Sequence, residues 1–184
     1  MSLKTRWWVA PVLLGLTVWT RSVAAAAEMP AVRTLAVETG DFFDITSVDF
    51  SADGRLVASS WVRFEGWENP TITSEIKVWN TATGQLVRLW KVADQAVQAV
   101  AFAPNGKTLA TGIRVVRGER RDSGEVRLWD IPGGRLLQTL PTGGHVHKVV
   151  FSPDGKLLAS NSLLIQRLGG NSSTEGGSEI KVWD

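Results

Sequence analysis

An all-β fold is what this sequence predicts, and three observations carry that prediction. A 12-residue stretch recurs without gaps as VDFSADGRLVAS from Val48, VAFAPNGKTLAT from Val100 and VVFSPDGKLLAS from Val149. Each copy leads to a run rich in β-branched residues that ends on tryptophan: IKVWN, VRLWD and IKVWD. The residues between the runs form tight turns, and the copies return about every 50 residues, as repeated supersecondary units do.

Taken in order, each unit reads as four short strands. V-x-F is the first. SADG, APNG and SPDG then supply a turn in which Pro presets φ, Asp or Asn favours the third position and Gly takes the left-handed conformation. LVAS, LAT and LLAS return as the second strand, and IKVW, VRLW and IKVW form a third of high β-propensity. TATG or IPGG turns the chain into a fourth, LVRLW or LLQTL. These strands are apolar almost throughout, as strands are when both sheet faces are covered. Four-stranded antiparallel sheets repeated radially make the blades of a propeller. The fold expected is therefore a partial β-propeller of three four-stranded antiparallel blades, over about 41–90, 91–140 and 141–184, the last lacking its fourth strand.

The first 27 residues read differently. MSLKTR is basic, WWVAPVLLGLTVW is an apolar run, and SVAAAA provides small residues at cleavage-site spacing. This is the layout of a signal peptide, with cleavage expected after Ala27. The run is shorter than the ~20 residues of a spanning helix, so no stable membrane span is expected once it is removed. A retained anchor is the alternative, because Arg21 stands unusually late. Of the 20 basic residues, Lys4, Arg6 and Arg21 lie in this segment, which leaves 17 against 18 acidic ones. A near-neutral body gives no general case for nucleic acid as partner. Cysteine is absent, which excludes disulfides, thiolate metal sites and cysteine nucleophiles.

FSPDGKLLAS followed by IKVWD resembles the WD-repeat β-propeller family, and the resemblance covers roughly residues 32 to 184. It implies a binding scaffold more than a chemistry. It also implies structural roles for Phe50, Phe102 and Phe151, for Ser59, Thr111 and Ser160 in the second strands, and for Trp79, Trp129 and Trp183 in the third. Asp41, Ala93 and Thr142 stand where the family often has histidine, so the hydrogen-bonded set that ties a blade together is expected to be partial. Family repeats run ~40–45 residues. The surplus here lies between second and third strands, at 60–75, 112–125 and 161–179, and predicts lengthened hairpins on one side of the molecule. The segment 28–40 includes AVRTLAV, which is similar to LLQTL and LVRLW and is expected to be an outer closing strand for the last blade.

Two hairpins carry the chemistry of a protein-interaction face. Trp61, Phe64 and Trp67 are aromatics of the kind that anchor interfaces if exposed. Arg114, Arg117, Arg120 and Arg121 suit carboxylate or phosphate recognition. The alternative is that the hairpins cover one another, with aromatics packed and charges solvated. His145 and His147, the only histidines, lie as H-x-H on a strand and would present both imidazoles on one face. Two ligands do not make a site, and no metal or cofactor is expected. The tract LGGNSSTEGGSE lacks the Lys-Ser/Thr of a phosphate loop, and no serine sits in a G-x-S-x-G turn. No catalytic residue is expected.

Propellers close with typically four to eight blades, and three would leave two apolar faces bare. Three readings follow: a piece of a longer propeller, a homo-oligomer whose copies complete the ring, or an open wedge paired with another protein. The function expected is a non-catalytic scaffold for protein–protein interaction, exported to the periplasm or beyond the cell. The alternative is the propeller portion of a larger exported enzyme or electron-transfer protein.

Overall fold

The chain was analysed as a computed structural model, which describes residues 34–35, 43–65, 71–115, 123–167 and 173–184. All belong to one compact unit, Thr34–Asp184. Every regular element among them is a strand: β1 (Phe43–Phe50), β2 (Leu56–Glu65), β3 (Thr71–Asn80), β4 (Leu86–Ala93), β5 (Gln95–Phe102), β6 (Thr108–Val115), β7 (Gly124–Asp130), β8 (Arg135–Thr142), β9 (His145–Phe151), β10 (Leu158–Arg167) and β11 (Ser173–Trp183).

The strands form three antiparallel sheets in the orders β1-β2-β3-β4, β5-β6-β7-β8 and β9-β10-β11. These are the expected blades, and they make an open partial propeller. The inner strand β5 touches both β1 and β9. The third sheet has no fourth strand among the described residues. The expected closing strand falls outside them except for Thr34 and Leu35, which lie in no strand.

The same local chemistry closes the β1–β2, β5–β6 and β9–β10 turns. Gly54 N–H donates to the Ser51 carbonyl at 2.8 Å, Gly106 to Ala103 at 2.9 Å and Gly155 to Ser152 at 2.9 Å. Each of these glycines has φ between 66 and 72°, a left-handed conformation that a Cβ would strain. In the first and third turns the serine side chain adds a second tie: Ser51 Oγ donates to Asp53 at 2.7 Å and Ser152 Oγ to Asp154 at 2.6 Å. These bonds are the leading reason why both carboxyls are held below their ordinary range. The lengthened hairpins also form: β2 and β3 pair from Leu56↔Asn80 to Glu65↔Thr71, and β10 and β11 from Leu158↔Trp183 to Arg167↔Ser173.

The cores lie between the sheets. Ala58, Ile76 and Val78 of the first sheet pack against Val100, Phe102, Leu109 and Trp129 of the second. On its other side the second sheet offers Ala101, Ala110 and Val126 to Val149 and Leu158 of the third. The second sheet thus turns an aromatic-bearing face, with Phe102 and Trp129, to the first blade and a small aliphatic face to the third.

Candidate interaction surfaces

In all three blades the tryptophan of the third strand donates to the hydroxyl of the second. Trp129 Nε1 reaches Thr111 Oγ1 at 3.0 Å, Trp79 reaches Ser59 at 3.3 Å and Trp183 reaches Ser160 at 3.4 Å. The hydroxyls sit in buried strands, where an acceptor must be supplied for an indole N–H. Thr142, at one of the positions where histidine was absent, donates instead to the Gly144 carbonyl at 2.7 Å.

The hairpin residues separate into different environments. Phe64 is 40 % exposed, and Arg114 is exposed near the end of β6. Trp61 is different: it is 6 % exposed, so it is not a presented anchor. Its indole N–H donates to Ser59 Oγ at 2.8 Å. The Lys77 ammonium lies over its ring at 4.4 Å from the centroid and pairs with Glu75 at 2.9 Å. Trp61 therefore stabilises its own blade. Trp67, Arg117, Arg120 and Arg121 lie outside the described residues. Glu75 is partly buried, which raises its pKa, yet Lys77 and Lys91, at 2.9 and 3.2 Å, outweigh that and hold it below its ordinary value.

The H-x-H expectation is corrected by a β-bulge. In β9, Val146 pairs with Ser162 and Lys148 with Asn161, which leaves His147 as the extra residue. The bulge breaks the alternation that would have put both imidazoles on one side. His145 is buried while His147 is exposed. No group of three or more potential metal-ligating side chains occurs among the described residues.

The same bulge recurs at the aligned position of every inner strand, at Thr46 in β1 and Gln98 in β5. Beside it runs a groove of about 390 Å3 lined by three aligned quartets, residues 46–49, 98–101 and 147–150. Nothing in the sequence alone marks an extra residue in V-x-F strands, because the bulge costs no turn residue.

Sequence reasoning also missed the polar ties between the first two blades. Thr46 Oγ1 donates to the Val97 carbonyl at 2.6 Å, and Asp49 Oδ2 accepts from Phe102 N–H at 2.7 Å. Ser74 Oγ donates to the Gln95 carbonyl at 2.8 Å and accepts from Val97 N–H at 3.0 Å. On the outer strand, Arg88 Nε donates to the Ile131 carbonyl at 2.6 Å, its terminal nitrogen reaches the Pro132 carbonyl, and Trp90 Nε1 donates to the Gly134 carbonyl at 2.9 Å. One signal was available: Asp49 aligns with Ala101 and Val150, so a carboxylate stands in one repeat where the others are apolar.

With hydroxyl–tryptophan pairs, turns and sheet order in place, the chain is a repeat protein of the propeller class. It belongs to the WD40 family: the model for the "WD domain, G-beta repeat" matches residues 32–80, 84–130 and 134–184. These repeats are offset from the sheets by one strand. The second begins ahead of β4 and ends with β7, and the third begins ahead of β8 and ends with β11. The chain is 29 % identical over 120 residues to the small ribosomal subunit protein RACK1y of Oryza sativa subsp. japonica, covering 62 % of this chain and 29 % of that protein. It is 28 % identical over 157 residues to the WD repeat-containing protein SL1-17 of Schistosoma mansoni, covering 67 % and 49 %. Hydrazine synthase of Kuenenia stuttgartiensis shares the fold, with a TM-score of 0.54 at 22 % identity over 73 % of this chain and 37 % of that one. The chain thus spans less than half the length of each of these proteins. WD-repeat proteins act in general as scaffolds for protein–protein interaction.

Proposed function

We propose that this chain is an exported, non-catalytic WD-repeat scaffold that binds a protein partner at the end of the blades carrying the long hairpins. Family membership supports the scaffold role, and the observation that carries the site is the hairpin extension itself. In β2–β3 the strands continue well past the Ser59–Trp79 pair, to Glu65↔Thr71. The extension first packs Val62 and Ile72 against Ala96 of the second blade, and beyond that contact it presents Phe64. The near-neutral charge of residues 28–184 favours a protein over a nucleic acid. Export rests on the layout of residues 1–27.

Two experiments test the two halves. N-terminal sequencing of the protein recovered from a secreting host is expected to begin at Glu28; recovery of an intact Met1 chain from the cytoplasm would remove export. For binding, a photo-crosslinking residue at Phe64 is expected to trap one partner, and the same residue at Thr83, in the turn at the opposite end of the blade, is not. Phe64→Ala should weaken capture about tenfold or more if it is an anchor. Trp61→Ala should lower stability while the folded fraction still binds. Equal capture at Phe64 and Thr83 would refute the site.

A further inference from the structure

We infer that the groove beside the inner strands binds a carboxylate, the side chain of an acidic peptide, on the inner edge of β9 where the second and third blades meet. Across the first seam, side chains of β1 satisfy the backbone edge of β5. Ser47 Oγ accepts from Val100 N–H at 3.2 Å, and Asp49 Oδ2 accepts from Phe102 N–H at 2.7 Å. The aligned donors in the third blade are the N–H groups of Val149 and Phe151. Val149 stands opposite Ser160 and Phe151 opposite Leu158, the register in which Val100 meets Thr111 and Phe102 meets Leu109. Their N–H groups therefore point away from β10, toward β5. On β5 the residues aligned with Ser47 and Asp49 are Ala99 and Ala101. Both pack with Val146 and Val149 of the third blade, and neither side chain has an acceptor to offer.

Val149 is 4 % exposed, and a backbone donor so placed requires a partner. Room for one exists, because Ala99, Ala101 and Val149 all line the groove of about 390 Å3, a volume in the range of small-ligand sites. The charged side chains of the groove sort to opposite walls. Lys148 and His147 stand exposed on the β9 wall. Asp49 lies on the β1 wall, where its carboxylate already serves Phe102. An anion is favoured beside Lys148 and disfavoured beside Asp49. The group that the first seam sets against such an edge is an aspartate carried on an extended strand. An aspartate on an extended peptide repeats that contact at the second seam, with charge-assisted hydrogen bonds from the backbone. The seam lies between two sheets that this chain itself supplies, so its donors are set by the interior of the molecule.

The probe is the peptide acetyl-Ala-Asp-Ala-amide, titrated at neutral pH into the isotope-labelled chain and followed by NMR. The amide protons of Val149 and Phe151 are expected to move downfield together and to saturate. Acetyl-Ala-Asn-Ala-amide, of the same shape without the charge, should bind about tenfold more weakly or worse. Unmoved amides, which would mean that solvent alone serves these donors, or equal binding of the two peptides would overturn the inference. Ala101→Asp builds into the second seam the contact that Asp49 makes in the first, so it should abolish binding by occupying the donors. Binding retained by that variant, once circular dichroism shows it folded, would also overturn the inference. Lys148→Glu should weaken the Asp peptide about tenfold or more, whereas Lys107→Glu, in the exposed β5–β6 turn, should leave it unchanged. Equal losses in the two would assign the binding to overall charge and refute the site. Lys148 is exposed, so this arm decides the matter even where Ala101→Asp fails to fold. A failure here leaves the hairpin-face reading standing, because no residue of the long hairpins lines the groove.

Discussion

The seam between the first and second blades and the seam between the second and third are built from the same repeat, yet they hold in different ways. The first joins an apolar core to a set of directional ties: Thr46, Asp49 and Ser74 at the inner and middle strands, Arg88 and Trp90 at the outer one. Trp90 and Trp129 also meet across it at 5.3 Å between centroids. The second depends on close approach of small side chains. Ala99, Ala101 and Ala110 face Val146 and Val149, and a Cβ placed on Gly112 would lie 2.6 Å from Val146 Cγ1. At its outer rim, Lys181 Nζ reaches the Pro141 carbonyl at 3.4 Å. A repeat therefore specifies that blades stack, while the residues that vary between copies choose how each seam is secured.

The comparison can be broken most severely at the first core. Leu109 is fully buried, and Leu109→Ala is expected to cost about 2–5 kcal/mol, by loss of transfer energy and the cavity left behind. Urea unfolding followed by tryptophan fluorescence measures it. The second seam breaks in the opposite way, by overfilling. Gly112→Ala should cost roughly 1–3 kcal/mol, because Val146 and the Ala99 Cβ must both move.

Next comes the carboxylate that distinguishes the two seams. Asp49→Ala leaves the buried Phe102 N–H without its acceptor and should cost about 1–3 kcal/mol. Asp49→Asn, which keeps an acceptor oxygen, should recover most of that loss. If the two variants unfold alike, the tie between the blades contributes nothing. Amide exchange at Phe102 would show the same contrast locally.

The smallest effect is electrostatic and belongs within one blade. Glu75 has a lowered pKa, so its pairing with Lys77 and Lys91 favours the fold above the ordinary carboxylate range and is lost as pH falls through the folded-state value. Glu75→Gln lacks this increment at any pH. Unfolding midpoints of the two proteins should differ at neutral pH and converge on acidification. Asp53 and Asp154 titrate in both and cancel. A constant difference across the series would assign the effect of the substitution to packing.

Much of this molecule was legible in its residues because a propeller is a local object. V-x-F, S-x-D-G and IKVW each determine a strand or a turn through contacts within a few residues. Gly54, Gly106 and Gly155 answer to local backbone sterics, so they could be placed without knowing what surrounds them. The hydroxyl–tryptophan pairs were legible as well, through the family resemblance, and they form at all three sites. The long hairpins followed from surplus length between the second and third strands.

What the sequence by itself determined is the repeat: three blades, their strand order and their mutually apolar faces, all dictated by short-range turn chemistry and two-sided hydrophobic strands. Only the tertiary structure decided the rest. It turned Trp61 inward beneath Lys77, and it inserted a bulge at Thr46, Gln98 and His147 that parts the two histidines. It also matched Asp49 to an amide of the next blade. The Asp49 tie depends on what stands across a gap between sheets far apart in sequence, and Trp61 and the bulge on how strands of one sheet are registered; a one-dimensional pattern carries no record of either.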